Sequence, residues 1–287
     1  MDAPTGVAAE ISARLRTERF GRPLSVHGSV TSTSDLARDL ARSGAAEGTA
    51  VLALEQTHGR GRLGRPWVSP PGGVYVSLVL RPAIPVDRWP LIGLACALGA
   101  AAAAEAHAGA PVRVKWPNDL LLDEGKVGGI LVEVAGDAAV CGIGLNVIPT
   151  AERSPIFDSP ASRPARSGTS WNGSEGSVDN PPGGVVMSTK AAWLAMRNPA
   201  VSVAAVVADI LFECERRYAT LGTDPGAILM EWRARTETLG RTVRVEAAEP
   251  FDGVAEDIDT DGALLVRTTT GLRRVLAGDV VATERSR

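Results

Sequence analysis

The sequence is poor in the residues that form disulfide frameworks and zinc sites. Its 287 residues include only three cysteines, Cys96, Cys141 and Cys214, and three histidines. The cysteines are far apart in sequence and none stands in a CxxC spacing, so neither a disulfide scaffold nor a zinc site is predicted. This shortage is typical of a cytoplasmic protein, and we expect that location.

An excess of positive charge and an export signal are also missing. The formal net charge is −3 and the isoelectric point is about 5.7, which argues against a general nucleic-acid or membrane-surface binder. The first 20 residues lack the apolar core of a signal peptide. The most apolar run, residues 91–110, contains Glu105 and His107, so it predicts a buried helix rather than a membrane span. No DNA and no membrane are therefore expected among the partners.

Strand patterns outnumber helix patterns in the first half of the chain. A short helix with a polar start is predicted within residues 29–44, strands at 49–56 and 72–82, and the alanine-rich helix at 91–110. Three further strands are predicted at 112–122, 126–135 and 138–147. Most of the joints are short enough for hairpins. We therefore predict an α+β fold with a mixed or antiparallel sheet backed by helices, and not a doubly wound parallel sheet.

The composition divides the rest of the chain. Ser, Pro, Gly and Asn supply half of residues 151–190, which predicts a flexible low-complexity insertion. Helical patterns resume at about residue 201, and from about residue 240 short alternating segments are separated by glycine and aspartate, as in a small five-stranded barrel. We predict a larger domain at 1–239 and a small β domain at 240–287.

The stretch "HGRGRLGRPW", residues 58–67, concentrates positive charge on flexible backbone. Arg60, Arg62 and Arg65 alternate with glycines, and Trp67 offers an apolar ring for stacking. Exposed backbone N–H groups and fixed positive charges suit a phosphate or carboxylate better than a base edge. By itself the stretch also fits an RG-rich RNA contact or a solvated loop.

A second stretch, "KWPNDLLLDEGKVGGILVEV", adds polar groups that fit the same kind of ligand. Lys115, Asn118 and Asp119 lie near one strand end, and Lys126 opens the next strand just before two glycines. A hairpin between the strands brings both lysines to one side. Taken singly, these residues also fit an edge-strand lysine and ordinary turn formers.

Together with "GIGLNV", these stretches resemble biotin protein ligases, also called biotin–[acetyl-CoA-carboxylase] ligases. The motifs "GRGRLGRPWVSP", "KWPNDL" followed by "KVGGILVE", and "GIGLNV" occur in the family's order, and the resemblance covers about 25–148 and, more loosely, 200 to the end. It implies a class II synthetase-like catalytic domain with an SH3-like C-terminal barrel. It also implies ATP and Mg²⁺, formation of biotinoyl-5′-AMP, and transfer of biotin to a lysine on the carrier domain of a biotin-dependent carboxylase.

The resemblance assigns roles to individual residues. Lys126 corresponds to the catalytic lysine that touches the biotin carboxylate and the α-phosphate, and Arg62 to the catalytic loop arginine. Asp119 corresponds to a residue that orients Mg²⁺ or the incoming lysine; no other metal ligand is implied. The implied biotin contacts are Ser32, Thr33, Gln56, Gly59, Arg60, Gly61, Arg62, Lys126, Gly128, Gly129 and Gly142. The implied ATP or adenylate contacts are Arg62, Arg65, Trp67, Lys115, Asn118, Asp119, Lys126 and Asn146.

Three further expectations concern partners and rival functions. Only about 25 residues precede the motifs, so the operator-binding domain of some family members is not expected. A monomer or weak homodimer is expected. A lipoate or octanoate ligase is the nearest rival, but an alkyl chain does not need the polar groups of Ser32, Thr33 and Gln56 that a ureido ring needs. A nucleic-acid-binding module is the rival of another class, and the acidic net charge argues against it.

Overall fold

In a computed structural model of the chain, residues 3–150, 191–247, 249–276 and 278–285 are described. The helices are α1 (Ala3–Arg14), α2 (Thr33–Arg42), α3 (Pro90–Ala108), α4 (Val203–Thr223) and α5 (Pro225–Arg235). The first seven strands are β1 (Leu24–Val30), β2 (Ala50–Gln56), β3 (Gly73–Leu80), β4 (Val112–Lys115), β5 (Asp119–Leu122), β6 (Gly125–Ala135) and β7 (Ala138–Asn146). The last five are β8 (Arg241–Glu246), β9 (Phe251–Ile258), β10 (Leu264–Thr268), β11 (Gly271–Val275) and β12 (Asp279–Arg285). The predicted insertion at 151–190 lies outside the described residues.

The first seven strands form one sheet in the order β1-β2-β3-β7-β6-β5-β4. β1 and β2 are parallel, and every other neighbouring pair is antiparallel. Strand β3 is buried along its whole length, as its apolar sequence requires for a central strand. The predicted mixed sheet backed by helices is confirmed.

Helix α3 is the centre of the hydrophobic core. Its alanines and leucines are almost all buried, and small side chains let it pack closely against α4, where Gly99 faces the backbone of Cys214. The stretch Val86–Ala108 is long and apolar enough to cross a membrane, but most of it is buried inside this fold. The structure therefore agrees with the prediction of a buried core helix.

The predicted strand at 112–122 is wrong, because it is two strands joined by a tight turn. β4 ends at Lys115, β5 begins at Asp119, and these two residues pair directly across the hairpin. Pro117 has no N–H to donate to a sheet ladder, which favours a turn at this point. The turn brings Lys115 and Asp119 side by side.

The three cysteines, distant in sequence, are all buried in the core as free thiols. The Sγ of Cys214 donates to the carbonyl of Cys96 at 3.5 Å. Hydrogen bonding between thiols and burial raise the pKa of both Cys96 and Cys214 well above the ordinary value. Protonated, inaccessible thiols behave as small apolar core groups.

Strands β8 to β12 form a second, fully antiparallel sheet in the order β11-β10-β9-β8-β12. The predicted small C-terminal β domain is confirmed as this sheet, with β11 and β12 as its edges in the described part of the chain. Trp116 joins the two sheets, since its backbone N–H donates to Thr238 Oγ1 at 2.8 Å and its indole N–H to the Gly262 carbonyl at 3.0 Å. One hydrophobic cluster extends across both sheets.

Candidate active site

A cleft of about 1510 Å³ lies between the main sheet and the C-terminal sheet. Most of the residues that the sequence assigned to the site line it. They are Thr33, Gln56, Arg60, Gly61, Arg62, Arg65, Trp67, Lys115, Asn118, Asp119, Lys126, Gly129 and Gly142. Residues from three separate sequence motifs thus face one space.

Four assigned residues do not line the cleft and instead support it. Ser32 is 1% exposed at the start of α2, and Gly59 packs so closely on its own loop that a Cβ would meet a carbonyl at 2.4 Å. Gly128 is enclosed by the neighbouring strands, with atoms 2.8 Å from a Cβ position. The Asn146 amide donates to the carbonyl of Lys126 at 3.4 Å, so it holds the strand that carries the lysine.

The arginine and glycine loop connects β2 and β3 and is hydrogen-bonded to itself. Trp67 N–H donates to the Gly59 carbonyl and Gly61 N–H to the Arg65 carbonyl, both at 2.8 Å. At its tip Leu63 has φ 55° and Gly64 φ 73°, a left-handed pair that reverses the chain. The loop therefore has a defined backbone shape, which determines where its arginines lie.

Arg62 lies between the loop, the hairpin and the C-terminal sheet. Its Nη1 donates to Asn118 Oδ1 at 3.4 Å and to the Gly278 carbonyl at 3.3 Å. Burial lowers the pKa of Arg62, while the carboxylates of Asp279 and Asp119 act in the opposite direction. The ordinary pKa of an arginine is so far above neutral pH that the Arg62 guanidinium stays charged.

Two further cations of the cleft are paired with aspartates. Lys126 Nζ is 2.6 Å from Asp119 Oδ1 and 5.4 Å from the centre of the Trp67 ring. Arg65 forms an ion pair with Asp279 on β12. A ligand phosphate at these cations would take the place of the aspartates.

The other end of the cleft holds a chain of neutral polar groups. Gln56 Oε1 accepts from the N–H of Thr33 at 2.8 Å and from its hydroxyl at 3.1 Å, and Gln56 Nε2 donates to Ser69 Oγ at 2.9 Å. The Thr33 hydroxyl also contacts Ser77 Oγ at 2.9 Å, and Ser77 contacts Ser34 at 3.1 Å. Such groups suit a neutral polar head with both donors and acceptors.

Several residues of the site were not assigned from the sequence, among them Ser34, Ser69 and Ser77 of the polar chain, Gly144 and Asp279. A Cβ on Gly144 would lie 2.7 Å from the Trp67 ring, so this glycine makes room for the indole. The sequence could have indicated Gly144, because it follows the assigned Gly142 by two residues and therefore lies on the same face of β7. Asp279 had no such signal, since its pairing with Arg65 depends on how the two sheets pack.

Residues 27–146 match the Biotin/lipoate A/B protein ligase family, and residues 238–282 match the Biotin protein ligase C terminal domain. The chain is 32% identical over 282 residues to the Bifunctional ligase/repressor BirA of Bacillus spizizenii, covering 95% of this chain and 78% of that protein. It is 32% identical over 243 residues to the Biotin--[acetyl-CoA-carboxylase] ligase of Paracoccus denitrificans, covering 80% and 88%. In fold it is similar to the biotin protein ligase of Aquifex aeolicus in complex with biotin and ATP, with a TM-score of 0.69, 24% identity, and coverage of 92% and 99%. The chain belongs to the biotin/lipoate A/B protein ligase family, and within it to the biotin protein ligases.

Proposed function

We propose that the cleft between the sheets activates biotin with ATP and then passes it to a lysine of a carboxylase carrier domain. One observation carries the proposal. Lys126 and Arg62 face the same cleft, and that cleft ends in the neutral polar chain around Gln56 and Thr33. A molecule with a polar uncharged head and a carboxylate tail fits between these two ends.

In the first step a carboxylate oxygen of biotin attacks the α-phosphorus of ATP. A new P–O bond forms, the bond to the bridging oxygen breaks, and pyrophosphate leaves with that oxygen's electron pair. Lys126 and Arg62 stabilise the charge that grows on the α-phosphate oxygens, and Lys115 adds a third positive group at the same cleft wall. The chain supplies positioning and charge rather than a nucleophile.

In the second step the amine of a carrier lysine attacks the carbonyl carbon of biotinoyl-AMP. An amide bond forms, the C–O bond to AMP breaks with its electron pair leaving on the AMP phosphate, and the proton lost by the amine passes to solvent. Asp119 lines the same cleft, 2.6 Å from Lys126 Nζ, and its carboxylate would orient the incoming amine.

Magnesium fits this site as a partner of the nucleotide. The described residues contain no group of three or more His, Cys, Asp or Glu side chains that could hold a metal ion by themselves. Mg²⁺ is commonly bound by one or two protein oxygens and the substrate phosphates, and Asp119 and the Asn118 amide oxygen are such oxygens. The ion would offset phosphate charge and support the leaving pyrophosphate.

We infer a cytoplasmic protein that meets its carrier domain as a monomer or weak homodimer and does not use DNA as a partner. The three buried free thiols support the cytoplasmic location, and the net charge of −3 argues against a DNA partner.

The test is pyrophosphate release with MgATP and either biotin or lipoate, followed by labelling of a carrier domain. Release that depends on biotin and is at least about tenfold slower with lipoate is expected, because a site that hydrogen-bonds a polar head rejects analogues without it. Equal or faster release with lipoate would contradict the assignment. Salt-dependent binding of oligonucleotides without pyrophosphate release would favour the nucleic-acid module instead.

A further inference from the structure

Four charged side chains form a closed ring beside the arginine and glycine loop. Arg60 Nη1 lies 2.6 Å from Asp35 Oδ1, and Arg60 Nη2 lies 3.2 Å from Glu133 Oε2. Arg38 reaches the same two carboxylates, Asp35 Oδ1 at 2.6 Å and Glu133 Oε1 at 2.8 Å. Each cation therefore bridges both anions, and each anion bridges both cations. We call these four residues the charge ring.

The charge ring connects the loop to two fixed elements. Asp35 and Arg38 lie on α2, and Glu133 lies on β6. Both elements are packed into a small hydrophobic cluster, with Ala37 of α2 fully buried. Arg60 belongs to the loop, so its guanidinium ties the loop to this packed support.

The charge ring also explains why Arg60 differs from the other loop arginines. Burial alone would lower the pKa of Arg60, but its hydrogen bonds and proximity to Asp35 and Glu133 outweigh that effect and raise it. Both of its terminal nitrogens are engaged by these carboxylates. With two positive and two negative members, the ring has no net charge to offer an anionic ligand, so the role of Arg60 is to hold the loop.

We propose that Asp35, Arg38 and Glu133 are positioning residues that act through Arg60 to keep the loop in the shape that receives biotin and its adenylate. This inference rests on the proposed function. A loop that is ordered before binding loses less conformational freedom when the substrate arrives, which strengthens binding. Loss of the ring should therefore weaken binding of biotin more than it slows the reaction of bound substrates.

The first experiment uses Glu133→Gln, which keeps the side chain's shape and removes its charge. The matched control is Glu256→Gln, because Glu256 binds Arg267 on the C-terminal sheet at 2.7 and 3.1 Å, away from the cleft. In Glu133→Gln, hydrogen exchange of residues 58–68 without substrates should be about threefold faster, the biotin KM about three- to tenfold higher, and kcat within about twofold of wild type. The control should match the wild type in all three.

A double-mutant cycle tests whether Glu133 acts through Arg60. If it does, Arg60→Met combined with Glu133→Gln should raise the biotin KM no further than Arg60→Met alone, because the shared contact is already lost. Asp35→Asn takes the place of Arg60→Met in the cycle if that variant unfolds. Additive effects would overturn the inference, and so would unchanged exchange of the loop in Glu133→Gln.

The exchange measurement separates this inference from the proposed function. It needs no substrate, so it reports on the loop even if the reaction has been assigned wrongly. A wild-type protein that releases no pyrophosphate with biotin would refute the proposed function. Faster loop exchange in Glu133→Gln alone would still support the structural role of the charge ring.

Discussion

Replacing Lys126 by methionine should nearly abolish formation of biotinoyl-AMP while the chain stays folded. Methionine keeps most of the length of the side chain and removes its charge. A preorganised charged contact made in the transition state is worth roughly 3 to 4 kcal/mol, which corresponds to a rate about a hundredfold to a thousandfold lower. The rate of pyrophosphate release at saturating biotin and MgATP measures this loss directly.

The stability of the Lys126→Met variant should change little. The Lys126 side chain is 29% exposed and that of its partner Asp119 is 19% exposed, so water screens part of their attraction. A pair of this kind contributes about 1 kcal/mol or less, and the melting temperature should fall by no more than about 4 °C. A thermal melt therefore distinguishes a lost charge from a lost fold.

Asp119, the ion-pair partner of Lys126, also affects the activity of the Lys126→Met variant. Without Lys126, the negative charge of Asp119 stays in the cleft with one cation fewer beside it, so it repels the phosphates more strongly. The double variant Lys126→Met with Asp119→Asn should therefore recover part of the rate, up to about tenfold. Lys115→Met serves as a comparison, since it removes a cleft lysine of the same kind and should cost less.

Two results would refute this reasoning. One is a Lys126→Met variant that keeps more than about a tenth of the wild-type rate, because Lys126 would then be a structural residue. The other is a Lys115→Met variant that loses more activity than Lys126→Met, because the main charge on the phosphate would then come from the other side of the hairpin.

Three more variants test other parts of the cleft. Arg62→Gly should remove an interaction of about 1.5 to 3 kcal/mol and release biotinoyl-AMP early, so that a streptavidin blot shows more labelling of a bystander protein such as albumin; labelling equal to wild type, with adenylation still detectable, would argue against this. Gly144→Ala places a Cβ 2.7 Å from the Trp67 ring and should raise the ATP KM several-fold with a changed tryptophan emission, whereas wild-type values of both would mean that the indole moves freely. Asp279→Asn should free the exposed Arg65 for phosphate and lower the ATP KM by about two- to fivefold; a higher KM would show that the aspartate assists binding instead.

Local features of the fold could be predicted from the sequence, and features that depend on distant pairing could not. The alanine-rich α3 and the apolar runs of β2 and β3 determine their own structure and burial. The break between β4 and β5 was missed because residues 112–114 and 120–122 are both strand-like, and one strand was predicted across the polar residues around Pro117. The pairing of β3 with β7 joins strands that are far apart in sequence, and period and composition carry no signal for such a pairing.

The same division holds for the site. The loop arginines could be predicted as site residues because they alternate with glycines, and the two lysines because they lie in one short stretch with Gly128 and Gly129. The acidic partners of the arginines could not be predicted in this way, since Glu133 is 73 positions from Arg60 and Asp279 is 214 positions from Arg65. An acidic residue on a strand is an ordinary surface residue until the fold places a cation beside it.

Those distant partners explain how an acidic protein carries such a basic loop. The charge of Arg60 is neutralised within the charge ring, and Arg65 and Lys126 each form an ion pair with one aspartate. A ligand that binds these two cations must replace two carboxylates, and it gains only the difference between its own contacts and theirs. A single sulfate or a flexible stretch of nucleic acid offers little advantage over the aspartates. ATP and biotin bound side by side present a phosphate and a carboxylate that can displace both aspartates at once, so the internal pairs make the cleft selective for this pair of substrates rather than for negative charge in general.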